Sequence, residues 1–309
     1  MEQNKIMEGI VLRSTGSFYD VLTDDGSKIV CTVRGKIRLE GIRESNPVAV
    51  GDRVAFDPEN RIGSITEILP RRNHILRQSA KKSGHAHVLA ANVDQALLMV
   101  TIAFPRTSLG FIDRFLVSAE SFRIPQTLVF NKTDLLDAEG LEYQQTLMAM
   151  YAKIGVGVLS ISAKQDDHSR IMALLKGRTT LLAGHSGVGK STLLNRLDPR
   201  IDQKVGEVSG HSEKGTHTTT FAEMFRIEEA FVIDTPGIKE WGLVDMNSQE
   251  LSDYFPEMRD LRLDCKFGAR CLHVNEPKCA IIPAVENGDI ALSRYDSYLS
   301  MLSGKDNRK

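Results

Sequence analysis

The residues best suited to chemistry are Gly184-His185-Ser186-Gly187-Val188-Gly189-Lys190-Ser191, set between the apolar run TTLLA and the helix-patterned segment TLLNRL. Strand, glycine loop and helix in that order form a phosphate cradle. The glycines let backbone N–H groups turn inward, and the helix N-terminus adds positive dipole. Lys190 is expected to reach the β- and γ-phosphates and to assist reaction there, Ser191 to ligate magnesium, and Thr192 to complete the phosphate-binding set. A chance glycine turn before a helix is the competing reading, and the flanking runs weigh against it.

A phosphate loop does not distinguish ATP from GTP. Asn131-Lys132-Thr133-Asp134, directly after the strand-like TLVF, does. A carboxylate at Asp134 can accept two hydrogen bonds from the N1–H and exocyclic amine of guanine. Adenine would leave it unpaired, which is a strong rejection mechanism. Asn131 is expected to tie this loop to the phosphate loop, and the stem of Lys132 to lie over the base. An ordinary helix-capping turn would share the pattern. Two further segments support guanine. Ser162-Ala163-Lys164 follows VGVLSI, where a backbone amide can meet the guanine oxygen. Asp234-Thr235-Pro236-Gly237 ends AFVI, where Asp234 can hold magnesium through water and the Gly237 amide can sense the γ-phosphate. Each is weak alone; together at strand ends they predict a GTP/GDP site with magnesium.

The order of these motifs is informative. The base-reading segment precedes the phosphate loop, so the domain is predicted to be circularly permuted. The chain leaving Asp234 and Gly237 then runs into the C-terminal segment, giving nucleotide state a covalent route to it. Between lies KVGEVSGHSEKGTHTTTF, polar and Gly-rich, expected to supply a threonine to magnesium. Thr218, Thr219 and Thr220 all qualify, with Thr219 preferred. Ile238 follows the last motif where many GTPases carry a water-orienting glutamine, so slow intrinsic turnover or a substitute group is expected. His217 is the candidate catalytic residue, against the plainer reading of a solvated loop histidine.

A second cluster, Cys265-x5-Cys271-x-His273-x5-Cys279, offers three thiolates and an imidazole, enough for one tetrahedral zinc per chain. Four protein ligands close such a site, making it structural. Lys266, Arg270 and Lys278 around it offer phosphate-binding charge, or simply a solvated face. Cys31, alone in KIVCTV, reads as a small buried hydrophobe.

These groups need scaffolds. Residues 1–75 alternate short strands and turns (GIVLRS, FYDVLT, an Asp24-Asp25-Gly26 hairpin turn, KIVCTV, DRVAFD, SITEIL), predicting a small β-barrel with the oligonucleotide/oligosaccharide-binding (OB) fold as leading candidate. Residues 71–82, with Arg71, Arg72, His74, Arg77, Lys81 and Lys82, read as a basic connector. Residues 76–240 alternate apolar strands with amphipathic helices, predicting a central α/β domain with a mostly parallel sheet and ligands at the strand carboxyl ends. Residues 241–309 read as a mainly α zinc-binding domain. The length fits roughly two or three domains. With 39 basic and 40 acidic residues, global charge does not announce a nucleic-acid binder, and local patches must supply any polyanion contact. No apolar run approaches the ~18–20 residues that span a bilayer, so a cytoplasmic, membrane-free protein is expected, with a monomer as the default and oligomeric state left open.

In combination, the small barrel, the ordered NKTD, SAK, GHSGVGKS, HTTT and DTPG motifs, and the C-terminal cysteine–histidine knuckle resemble the bacterial ribosome small-subunit-dependent GTPase A family over essentially the whole chain. The resemblance implies that barrel and zinc domain grip the small ribosomal subunit and its rRNA. It also implies ribosome-stimulated hydrolysis and a role in late maturation of that subunit. Gly187 stands where several permuted relatives carry asparagine, so a potassium role resting on that residue has no support. Two other classes compete: a protein-binding signalling switch for which RNA is irrelevant, and an ATP-dependent kinase, for which no acceptor motif is found.

Overall fold

The computed structural model describes residues 6–33, 48–58, 62–78, 86–201, 222–235 and 246–305; at 77, 78, 86 and 87 it describes the backbone alone. The chain divides into two compact units: Met1–Leu97, Asp167–Ser186 and Lys190–Glu240 in the first, Leu98–Asp166, Gly187–Gly189 and Trp241–Lys309 in the second.

The first unit begins with five strands: β1 (Met7–Ser14), β2 (Tyr19–Thr23), β3 (Lys28–Val33), β4 (Arg53–Asp57) and β5 (Gly63–Ile68). β1 pairs with β2, β2 with β3, β3 with β5 in parallel, β5 with β4, and β4 back to β1, so the sheet closes. Closure follows from the sequence alternation, which points Val11, Tyr19, Val21, Cys31, Val54, Phe56 and Ile65 into one apolar interior. This is the expected five-stranded barrel, and Cys31 is fully buried in it. The cost of burying a thiolate pushes that thiol up to about 11, as for an inert core cysteine.

The basic connector is more structured than its composition suggests. His74–Gln78 forms β6, antiparallel to β7 (Ala86–Ala91). Arg71 makes a two-pronged ion pair with the fully buried Asp52, at 2.6 and 2.8 Å, and Asp52 also accepts from the Ala49 amide at 2.7 Å. Arg72 pairs with Asp94 at 2.8 Å. Two of its charges are therefore committed to partners within the fold. Lys81 and Lys82 lie outside the described residues.

The same unit carries β11 (Thr179–Ala183) and β13 (Ala230–Asp234) in parallel, with β12 (Glu223–Ile227) antiparallel to β13 and reaching β1 through Arg13 and Glu223. The strand β8 (Gln95–Val100) is shared by the division, its first three residues in this unit and the rest in the second. β8 is buried along its length, as an apolar run in a sheet covered on both faces should be. β12 carries polar residues at Glu223 and Arg226 and buries Met224 and Ile227.

In the second unit β9 (Gln126–Phe130) runs parallel to β10 (Gly157–Ser160). Helix α1 (Leu109–Ser121) starts where the Ser108 hydroxyl accepts from the Phe111 amide. Helix α2 (Ala138–Lys153) starts where Asp137 accepts from Gly140. The first unit adds α3 (Ser169–Leu175) and α4 (Lys190–Leu197). The C-terminal segment is built from 3-10 turns and short helices α5 (Pro256–Arg259), α6 (Ile281–Glu286) and α7 (Leu292–Leu302). Pro256 takes the first position of α5, directly after the 3-10 turn Leu251–Tyr254 and the extended Phe255. Its core includes Phe255, Met258, Ile281, Tyr298 and the three cysteines, closed by Val117 of α1. No helix among the described residues is long and apolar enough to cross a membrane.

Candidate nucleotide and metal sites

The glycine loop leaves the carboxyl end of β11 and enters α4, with Gly184–Ser186 and Lys190 belonging to the first unit and Gly187–Gly189 to the second. The Lys190 ammonium is held against the carbonyls of Gly184 (2.7 Å) and His185 (3.2 Å). Its charge thus sits inside the loop. Burial pulls its pKa below that of an ordinary lysine, while the Asp234 carboxylate pulls the other way. Asp234 ends β13 opposite Leu182 of β11, and the buried Thr235 hydroxyl donates to the Leu182 carbonyl at 3.3 Å. Parallel pairing therefore brings an acidic strand end level with the phosphate-loop strand. Ser191 and Thr192 lie in the first turn of α4 and are half-buried. Gly237, Ile238, His217, Thr218, Thr219 and Thr220 lie outside the described residues.

In the second unit the segment Asn131–Asp134 is sewn to its neighbours. The Asn131 side chain is 3% exposed; its amide nitrogen donates to the Val188 carbonyl at 2.7 Å and its oxygen accepts from the Ala163 amide at 2.8 Å. One residue thus links three motifs far apart in sequence. Gly189, at φ +107°, makes this possible, because a Cβ there would strike the Asn131 amide. Lys132, itself at φ +64°, donates to the Gly187 carbonyl at 2.6 Å and to the Phe104 carbonyl. Its stem is thereby stretched from the end of β9 to the phosphate loop, and burial lowers its pKa against the pull of Asp134. The Thr133 hydroxyl donates to the Ile161 carbonyl at 2.9 Å. Asp134 is exposed and accepts from the Gln165 amide at 3.2 Å. Ser162 and Ala163 are buried, their amides directed to Asp166 and Asn131, while Lys164 is exposed. Sequence reasoning missed Gln165 and the Phe104 carbonyl. Neither carries a motif signature, since a backbone carbonyl has none and Gln165 acts only through the turn that presents it.

The metal candidates do converge. The ligand atoms of Cys265, Cys271, His273 and Cys279 all lie within 4.8 Å of one another, and all four residues are buried. The His273 Nδ1 stands 3.6 Å from Cys265 Sγ and 3.5 Å from Cys279 Sγ, and the two sulfurs are 3.9 Å apart. A tetrahedron with zinc–sulfur bonds of ~2.3 Å and a zinc–nitrogen bond of ~2.0–2.1 Å has edges of about 3.8 and 3.5 Å, so the separations among Cys265, His273 and Cys279 match such a site, with Cys271 within 4.8 Å as the fourth donor. Burial pushes Cys271 up to about 12 and raises Cys279, so a bound cation must displace their protons. Burial lowers His273, which favours the neutral imidazole a metal needs. The surrounding backbone is fixed by Tyr295 and Tyr298, whose hydroxyls donate to the carbonyls of His273 (2.6 Å) and Leu272 (2.8 Å).

Behind this cluster a buried charge network ties the C-terminal segment to α1 and α2. Arg294, 1% exposed, donates to Asp113 of α1 and to Glu257 of α5, each at 2.7 Å. Tyr151 of α2 donates to the same Asp113 oxygen at 2.9 Å, and Phe255 presents its ring face 4.7 Å from the guanidinium carbon. Burial acts to lower Arg294, but the two carboxylates outweigh it and raise the guanidinium further. Nothing in the sequence marks these residues, which are 181 positions apart between Asp113 and Arg294.

A phosphate loop at a parallel-strand end, with a guanine-type motif placed before it in the chain, defines a circularly permuted P-loop GTPase. A family described as RsgA GTPase matches residues 68–244, and one described as RsgA N-terminal domain matches residues 8–65. The chain is 48% identical over 307 residues, 98% of both chains, to a Bacteroides fragilis protein named small ribosomal subunit biogenesis GTPase RsgA. It is 45% identical to the protein of that name from Christiangramia forsetii, covering 97% of each. Among solved structures, YjeQ from Thermotoga maritima aligns at TM-score 0.76 and 35% identity over 99% of this chain and all (100%) of that one. YloQ, described as a circularly permuted GTPase, aligns at 0.74 and 32% over 100% and 98%. The chain belongs to the RsgA GTPase family.

Proposed function

We propose that this GTPase acts on the small ribosomal subunit during its late maturation, binding the subunit and its rRNA and hydrolysing GTP faster when docked. The observation that carries this reading is the extent of the relationship. Similarity to proteins named for small-subunit biogenesis runs through barrel, GTPase region and cysteine–histidine knuckle alike, at 98% coverage of both chains. The three-part division at residues 75 and 240 assigns the barrel and the zinc domain to ribosome contact, with the protein working in the cytoplasm as a monomer.

Within the GTPase region, Gly184 to Ser191 with Thr192 are assigned to the phosphates, Asp134 to the guanine edge, and the Ser162–Lys164 turn to the guanine oxygen. Lys132 would lie along the base, moored at the Gly187 carbonyl. Ser191, Thr219 and Asp234 would hold magnesium, whose charge would neutralise the β- and γ-phosphate oxygens. Lys190 would exchange the Gly184 and His185 carbonyls for phosphate oxygens, keeping its charge in the loop. His217 is assigned to orienting water and Gly237 to the γ-phosphate. Cys265, Cys271, His273 and Cys279 would hold a structural zinc. The test is GTP turnover with and without purified small subunits. Stimulation that follows subunit concentration is expected; turnover indifferent to subunits, with no cosedimentation in a non-hydrolysable GTP analogue, overturns the proposal in favour of a protein-binding switch.

A further inference from the structure

The guanine-reading carboxylate has a holder that no motif identifies. Asp134 is exposed, and an exposed aspartate rotates freely about two side-chain torsions. To accept two parallel hydrogen bonds from a base edge, its carboxylate plane must be aligned with that edge. The Gln165 amide donates to Asp134 Oδ2 at 3.2 Å. A carboxylate has about four lone-pair sites, so one donor restrains it while leaving room for two more bonds.

Gln165 is exposed like Asp134, but its backbone is fixed. Its backbone amide donates to the Ser162 carbonyl at 3.1 Å and the Ser162 hydroxyl at 3.3 Å. Asp166 closes the turn from the other side, its carboxylate accepting from the Ser162 amide at 2.8 Å. The turn is anchored to the base-reading segment through Asn131 with Ala163 and Thr133 with Ile161. Of these links, Gln165 is the one that reaches the carboxylate. A neutral amide is well matched to this position. Lysine or arginine would neutralise the charge that guanine's donors need, and a carboxylate would repel it.

We propose that Gln165 is a positioning residue for guanine recognition, orienting Asp134 so that both of its oxygens meet the base. This rests on the reading of Asp134 as the guanine contact, and the experiment separates the two. GDP and IDP affinities are measured by calorimetry on the full chain and on the Q165A, Q165E and D134A variants, with thermal melting of each as a fold check. Hypoxanthine lacks the exocyclic amine and uses one carboxylate bond, so it depends less on alignment.

Q165A is expected to weaken GDP about threefold to tenfold, the range for one hydrogen bond, and IDP less, so the preference for GDP narrows. Q165E, which keeps the stem but opposes carboxylate to carboxylate, is expected to weaken GDP further. Equal losses for GDP and IDP would reduce Gln165 to loop packing and overturn the proposal, as would wild-type binding by Q165E. If D134A keeps the GDP preference, the underlying reading of Asp134 fails instead.

Discussion

Replacing Asn131 with alanine tests whether one buried amide holds the nucleotide loops together. The side chain is 3% exposed and makes two short hydrogen bonds, to the Val188 carbonyl at 2.7 Å and from the Ala163 amide at 2.8 Å. Val188 is itself fully buried, so water cannot readily take over at its carbonyl. Losing a partner in such surroundings costs about 1–3 kcal/mol per group, which puts the two bonds at roughly 2–6 kcal/mol. Part of that should appear as lost stability and part as lost GDP affinity, because Val188 and the Asn131–Asp134 segment would no longer be registered. At about 1.4 kcal/mol per factor of ten, a loss of affinity of tenfold or more is expected. Urea unfolding of nucleotide-free protein and calorimetric GDP titration read the two parts separately. Asn131→Asp sharpens the test. It keeps an acceptor for Ala163 but turns an oxygen toward the Val188 carbonyl, and should be at least as damaging as alanine. Stability within about 0.5 kcal/mol of wild type, the ordinary scatter of surface substitutions, together with unchanged affinity, would refute the reasoning.

Three further outcomes follow from the packing. Arg294→Ala strands Asp113 and Glu257 in the interior and should cost about 3–5 kcal/mol in urea unfolding, far more than a surface arginine. Chelation, or Cys271→Ser, should remove about one zinc per chain by metal analysis and lower the melting temperature, since a structural metal contributes folding free energy directly. Burial, followed by the Arg71 charge, lowers the pKa of His74 from its ordinary 6.5, against the pull of Asp52. The unfolded chain therefore takes up the proton more readily. The stability that His74 contributes is present above pH 6.5 and falls as pH drops below it toward the lowered folded value. His74→Gln should flatten that part of the slope, measured by denaturation at about pH 7 and pH 5.5.

The sequence by itself determined the chemistry. Strand, glycine loop and helix around Lys190 are contiguous, so their local order is already the structure of a phosphate loop. The base motif at Asp134 and its place before Gly184 needed no coordinates either, because permutation is a property of order. The barrel was legible because alternation of period two decides which residues face inward. Gly189 could be seen as a loop glycine, but its reason could not: only folding brings Asn131 against it. Arg71 and Arg72 read as part of a basic connector because composition cannot tell a basic linker from cations paired with Asp52 and Asp94. The same holds for Gln165, which has no signature until a turn aims it at Asp134, and for Arg294, whose partners lie on α1 and α5. The four metal candidates were readable as residue types, whereas their meeting within 4.8 Å was settled by the fold. The division has one physical cause. Short-range sequence carries backbone geometry and side-chain periodicity, while the partner of a buried polar group is chosen by packing between segments far apart in the chain.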